Sequence, residues 1–370
     1  MLLDMSEHAT EETKKAYVAG TVRDIKKFII ERNREQSEEF CNASARLARQ
    51  QYRSVHPTEI AVLKCMDGRL NLSLMTETPV GILHPYRNIG GQFDFGWPFL
   101  AQLLKEWIYI STQKGRDCLV MVTYHYSKGD DHRNCAGYGY DTEAAHAGAM
   151  ELVKQAGRVF GRPFRVVHPI LVGMETDDEA LVFHSEKGET FSLADNLDMS
   201  PEELNYRLMD LYPEMRERIR MDLLELVKGN QRHVKKVRAA NRMPIDLNHR
   251  EQIIAVGRGF DWLHLPNMAL IIGPYGLDWP ETVAKAGGIV LSNLKEGRLD
   301  PEAGRMMLIA KLAREERGSY GWNLAEEEAR FVTRTAYTAL KKAVPELLDT
   351  NFTVLSGVVD AQTRLLHLCE

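Results

Sequence analysis

The sequence predicts an α/β protein: a mostly parallel β-sheet flanked by helices, internally duplicated, with a helical arm at the N-terminus. Three observations predict it. Apolar, β-branched runs of strand length alternate with segments whose apolar residues fall at helical spacing, the order that parallel crossovers require. Residues 254–263 lie over residues 60–69 at a constant offset, as a repeated unit would. The clearest strand signals also end in residues that carry chemistry, and the carboxyl ends of parallel strands are where open α/β sheets place their sites.

Composition bounds the remaining possibilities. A chain of 370 residues, 44% of them hydrophobic, has material for one large or two medium cores. A net charge of -5 gives no general attraction to nucleic acid or to anionic lipid. No apolar run approaches the roughly 18 residues of a membrane helix, and Met1 to Glu7 does not read as a signal peptide. The five cysteines, at 41, 65, 118, 135 and 369, are too few and odd in number for a disulfide scaffold. A reducing, cytoplasmic setting is expected, where cysteine pairs more often mean metal.

Taken in order, residues 1–57 are polar and helix-prone. Stretches such as 11–15 and 23–34 mix both charge signs around widely spaced apolar positions, predicting two or three helices with solvated faces. Residues 58–195 form a first α/β half. A strand is predicted at 59–64, a second apolar run at 80–83, and a helix at 99–107. Residues 118–124 give the strongest strand signal. A helix follows from Thr142 to about Val159, then a strand over 164–173. A hairpin comes next, with 180–184 as one arm and 186–188 in its turn. Residues 196–250 make a charged helical connector that opens with Ser200 as cap before Pro201 and ends near Pro244. Its basic stretch 231–238 reads as a solvated helix face rather than a nucleic-acid contact.

Residues 251–370 resume the alternation as a second half. Cys65 falls on Gly259, Asp67 on Asp261 and Arg69 on Leu263, while Pro274-Tyr275 stands near the place of Pro85-Tyr86. The run 352–356 is assigned the place of the 118–124 strand. His367 and Cys369 are expected in a frayed end. The second half therefore has the strand and the aspartate but no metal site.

The chemistry gathers at two strand ends. After 59–64 come Cys65, Asp67 and Arg69: a thiol for a borderline metal, a carboxylate that accepts a proton or hydrogen bond, and a guanidinium that can grip that carboxylate by two bonds. Alone, the stretch reads first as a buried cysteine beside a surface ion pair. After 118–124 come His125, His132 and Cys135. Neighbouring parallel strands would bring Cys65 and this loop to one rim. Two thiolates and one imidazole then leave one position of a tetrahedral zinc site open, as catalytic zinc requires, for a water whose pKa zinc lowers to about 7. His132 has the compact H-x-x-C spacing, and His125 the better-fixed backbone at the strand end. His125 is preferred.

Cys-x-Asp-x-Arg, then Arg87-Asn88-Ile89-Gly90, then a strand-end histidine and a following cysteine, resemble the ordered motifs of β-type carbonic anhydrases. Ile89 and Gly91 depart from that family's Arg-Asn-Ala-Gly-Asn. The long His-to-Cys spacing and a fused half without a metal site resemble the carboxysomal shell-associated branch. The resemblance implies a β-carbonic-anhydrase-like fold, with Zn2+ on Cys65, His125 and Cys135. It also implies that Asp67 orients zinc-bound water or hydroxide, or caps the metal at rest, and that Arg69 holds Asp67 off the metal. Carbon dioxide and bicarbonate would be the substrates. Hydrolysis of carbonyl sulfide or carbon disulfide at the same site, or a non-catalytic zinc scaffold, are the alternatives. Homo-oligomerisation is expected, as are a bacterial microcompartment setting and an assembly contact through the N-terminal arm.

Overall fold

Val, Ile and Leu at consecutive positions cannot satisfy a two-faced amphipathic pattern, so a strand made of them must be covered on both sides. In the computed structural model, which describes residues 22–161, 166–240, 249–263 and 268–369, two such sheets form. Chain order begins with α1 (Ile25–Cys41), α2 (Ala43–Val55), β1 (Glu59–Cys65), β2 (Leu83–Asn88), α3 (Pro98–Gln113) and β3 (Cys118–Tyr126). It continues with α4 (Thr142–Ala156), β4 (Val167–Glu175), β5 (Ala180–His184), β6 (Thr190–Ser192), α5 (Pro201–Leu211) and α6 (Glu217–Ala239). The remainder is β7 (Ile253–Gly257), β8 (Ala269–Ile272), α7 (Trp279–Lys295), β9 (Arg305–Ala313), α8 (Tyr320–Ala343), β10 (Phe352–Asp360) and β11 (Leu366–Leu368). The segment 11–15, residues 164–165 of the expected strand and Pro244 lie outside the described residues.

The chain divides into two units. One takes in residues 47–66 and 70–247, the other residues 1–46, 67–69 and 248–370. The first holds a six-stranded sheet in the order β2-β1-β3-β4-β5-β6, parallel from β2 to β4 and antiparallel beyond. β1 and β3 are interior neighbours in it, and Ile60 to Leu63 and Cys118 to Val122 are buried throughout. The helices 201–211 and 217–239, read as a connector, are part of this unit. Asn230 of α6 is wholly buried, accepting from Leu181 N (2.8 Å) and donating to the carbonyls of Met75 and Glu179 (both 2.9 Å). Gly229 has to be glycine, because a Cβ there would lie 1.9 Å from the Thr76 carbonyl oxygen.

The second unit holds a five-stranded sheet in the order β11-β10-β9-β7-β8. Helix α1 is built into it. Ile25, Phe28 and Ile29 share a core with Ile253, Ala255, Ile271 and Leu308. Asn33 completes the join, donating to the Arg364 carbonyl (3.0 Å) and accepting from Leu366 N (2.7 Å).

The duplication is visible in the strand orders, since β8-β7-β9-β10-β11 repeats β2-β1-β3-β4-β5. It also corrects the expected correspondence. The partner of β7 in the central position is β9, and β10 holds the place of β4, so residues 352–356 are not the counterpart of the 118–124 strand. Sheet register carries Glu59↔Cys118 onto Ile253↔Met306, and by continuation sets His125 against Ala313. The same logic matches Pro274 and Tyr275 with Arg87 and Asn88 rather than with Pro85 and Tyr86. His367 is not frayed: β11 pairs antiparallel with β10. The apolar run 80–83 is mostly turn, with Gly81 at φ 93, and β2 is the Arg-Asn motif strand itself.

Candidate metal centre

Parallel pairing of β1 with both β2 and β3 is what assembles the centre. Cys65 is the last residue of β1 and pairs with Asn88, the last of β2. His125 is the penultimate residue of β3, directly beside β1 in the sheet. The loop after β3 must then turn back to deliver Cys135, and local polar groups hold that turn. Ser127 N donates to Asn134 Oδ1 (2.8 Å), Asn134 Nδ2 to the Tyr140 carbonyl (3.1 Å), and Asp130 caps His132 N (3.0 Å).

The Arg87 to Gly91 motif acts as a spacer between the two cysteine loops. Asn88 accepts Met66 N at its carbonyl (2.9 Å) and donates through Nδ2 to the Gln92 carbonyl (2.7 Å). Gln92 in turn donates to the Gly137 carbonyl (2.9 Å). Gly90 and Gly91 both take left-handed φ values, 62° and 65°. A Cβ on Gly137 would stand 2.6 Å from Gly90 N, so the second cysteine's loop is packed backbone to backbone against the motif.

Cys65, His125 and Cys135 converge. Their ligand atoms all lie within 4.8 Å of one another, and all three residues are buried. The two Sγ atoms are 3.9 Å apart. With a zinc–sulfur bond of about 2.3 Å, two thiolates of a tetrahedral site stand about 3.8 Å apart, so the donor set fits zinc in chemistry and in spacing. Burial, reinforced by the thiols of Cys135 and Cys65, pushes the Tyr138 phenol above its ordinary value, so a neutral ring flanks the pair. His132 is not in this group: it is exposed, its ring edge-on to Tyr140 at 6.0 Å. Of the other histidines considered, His84 pairs with Glu59 (3.1 Å), and His146 and His184 pack with Tyr124. His168 lies edge-on to Tyr212.

Asp67 and Arg69 follow Cys65 in the chain and belong to the second unit, where a Cβ on Gly68 would meet the Ala269 carbonyl oxygen at 2.3 Å. Arg69 grips the carboxylate from three directions. Its backbone N donates to Oδ1 (2.8 Å), Nε to Oδ1 and Oδ2 (3.2 and 3.1 Å), and Nη2 to Oδ2 (2.7 Å). Nη2 also faces His249 Nε2 at 3.4 Å, and His249 Nδ1 meets Glu251 Oε1 at 2.9 Å. Sequence reasoning missed His249 and Glu251. No motif marks them, and the only signal is their place just ahead of β7.

In the second half, Gly259 sits at φ 87 beneath Val359 and Leu312, and Leu263 is buried in apolar core. Among the described residues, no group of metal-ligating side chains converges at Gly259 or Leu263.

Comparison with known proteins bears on this arrangement. The family "Carboxysome Shell Carbonic Anhydrase, catalytic domain" matches residues 50–243, more than half of the chain. The chain belongs to the carboxysome shell carbonic anhydrase family. Its curated relatives include a carboxysome shell carbonic anhydrase of Hydrogenovibrio crunogenus (strain DSM 25203 / XCL-2), 24% identical over 250 residues, covering 57% of this chain and 46% of that protein. Another, from Prochlorococcus marinus (strain MIT 9313), is 23% identical over 242 residues, covering 56% and 46%. The chain thus spans about half the length of the curated relatives it matches. The family match contains β1 to β6, both cysteine loops and helices α3 to α6, so the converged trio lies wholly inside it.

Proposed function

We propose that the chain is a carbonic anhydrase, a zinc lyase that interconverts carbon dioxide and bicarbonate. The observation that carries this reading is the buried convergence of Cys65, His125 and Cys135 in a member of that family. Zinc held by these three would supply a Lewis acid that brings the pKa of water down to about 7.

The chain's own residues do the rest. Two thiolates offset the charge of a divalent ion, which lets the centre stay buried. Asp67, two residues beyond Cys65, accepts a hydrogen bond from the reacting water and orients it. Arg69 keeps Asp67 ionised and directed, because a guanidinium fork favours the charged carboxylate. Hydration of carbon dioxide releases one proton as bicarbonate forms, and Asp67, held ionised by Arg69, accepts a hydrogen bond there without taking up that proton. The second half, lacking thiol, imidazole and arginine at the matching positions, holds no zinc and serves to complete the fold. Whole chains pair into a homo-oligomer, and a carboxysome is the setting that the relatives' names suggest.

Stopped-flow carbon dioxide hydration on the purified chain, with and without zinc, tests the reading. Zinc-dependent turnover is expected. A fully zinc-loaded protein without hydration activity would overturn it in favour of a scaffold role, and hydrolysis of carbonyl sulfide alone would change the substrate.

A further inference from the structure

The hydrogen-bond chain that grips Asp67 continues past Arg69 into a carboxylate with no exposure at all. Glu251 is 0% exposed and stands two residues before β7. Both of its oxygens are engaged, Oε1 by His249 Nδ1 (2.9 Å) and Oε2 by Asn293 Nδ2 (3.0 Å). Asn293, also wholly buried on α7, donates to the Glu251 carbonyl as well (3.2 Å) and accepts from Arg298 Nη1 (2.6 Å). An ionised carboxylate only accepts hydrogen bonds, so the proton of a neutral His249 must be on Nδ1. Nε2 is then a lone pair, and that lone pair is what Arg69 Nη2 meets at 3.4 Å. The other tautomer would set an N–H against an N–H and push the guanidinium away.

The trio of Asp67, His249 and Glu251 also has metal-ligand spacing, its ligand atoms lying within 4.8 Å of one another. The cation in that place is already Arg69, which bonds both Asp67 and His249. A carboxylate as deeply buried as Glu251 needs fixed hydrogen-bond partners. Here they are fixed by residues of the half that holds no zinc.

We propose that Glu251 is a positioning residue for Arg69, selecting the His249 tautomer that presents a lone pair to the guanidinium, with Asn293 locking the carboxylate. The proposal rests on the reading of Asp67–Arg69 as the working pair, and it gives the second half a part in catalysis beyond filling the fold.

The test uses the full zinc-loaded chain and the variant Glu251→Gln. Nitrogen-15 NMR of labelled histidines, with the His249 signal assigned by its loss in His249→Asn, should show the Nδ1–H tautomer in the wild type. In Glu251→Gln the signal should be mixed or shifted to Nε2–H. Carbon dioxide hydration should lose about tenfold in kcat, with KM and zinc content unchanged. In an Arg69→Ala background Glu251→Gln should cost nothing further, because residues acting through one another are not additive. An unchanged tautomer, wild-type kcat, or losses that multiply with Arg69→Ala would overturn the proposal. If Glu251→Gln does not fold, His249→Asn at its half-buried position must show the same kcat loss and the same non-additivity, or the proposal fails. Wild-type turnover in Arg69→Ala would instead remove the working-pair reading, while the tautomer still reports on Glu251 by itself.

Discussion

Replacing Arg69 by alanine separates what the pair contributes to folding from what it contributes to chemistry. The side chains of Arg69 and Asp67 are 7% and 6% exposed, and the substitution removes every side-chain bond between them while leaving the backbone N–H on Oδ1. Stranding one partner of a buried ion pair costs about 3–5 kcal/mol. That cost falls on the metal-free protein, where the carboxylate has lost the Arg69 guanidinium. If the freed carboxylate turns to zinc held by Cys65, two residues away in the chain, the charge is compensated again. The variant should therefore be clearly destabilised without metal and much less so with it. Hydration should fall at least about a hundredfold, because the group that orients water now blocks it. Zinc content by mass spectrometry should remain near one per chain. Denaturant melts with and without chelator, beside stopped-flow hydration, read all three quantities. Wild-type turnover, or loss of zinc together with activity, would refute the reasoning.

Three further outcomes follow from the geometry. His125→Ala should lose stoichiometric zinc and all hydration, whereas His132→Ala should keep both; wild-type metal analysis should give one zinc per chain, and two would contradict the metal-free second half. Gly137→Ala should lower zinc affinity and cost about 1–3 kcal/mol, since the new methyl would press on Gly90 N and shift the Cys135 loop; unchanged zinc affinity would show that the loop yields freely. Burial holds the pKa values of His168 and His184 at about 4, against an ordinary 6.5, with His146 adding to the effect at His184. Their folded-state values are depressed, so the unfolded chain binds more protons between pH 6.5 and 4. Stability should therefore be intact above pH 6.5 and fall as pH drops through that window. Urea midpoints at pH 7 and 5 should differ less in a His168→Gln, His184→Gln double variant than in the wild type.

How far the sequence reached differs from element to element. The strand read at 118–124, which runs to Tyr126, was legible because its β-branched and aromatic residues have one good use. Ser200 with Pro201 was legible as a helix start, and the full capping box with Glu203 forms there. β9 was not legible. Arg-Met-Met-Leu-Ile-Ala-Lys-Leu-Ala is rich in helix formers, and only burial between β7 and β10 makes it a strand. Arg305, which argues against a buried strand, is accommodated by Thr350 Oγ1 (3.0 Å) and the Pro301 carbonyl (3.1 Å). Without β9, the run 352–356 was given the place of β3 rather than that of β4. The N-terminal arm showed an amphipathic pattern, but a pattern cannot say which sheet the apolar stripe covers.

Local chemistry was determined by the sequence itself. The thiol, carboxylate and guanidinium at alternate positions offered a metal ligand beside an ion pair, and the ordered motifs carried the family. The choice between His125 and His132 rested on backbone rigidity, and the converged trio contains His125. Tertiary structure alone decided what stands behind Arg69. Glu251 and Asn293 lie far along the chain, and no spacing rule links them to residue 69. Hydrogen bonds between distant segments depend on where the sheets and helices place their ends. That information lies in the packing of whole elements and not in any run of residues.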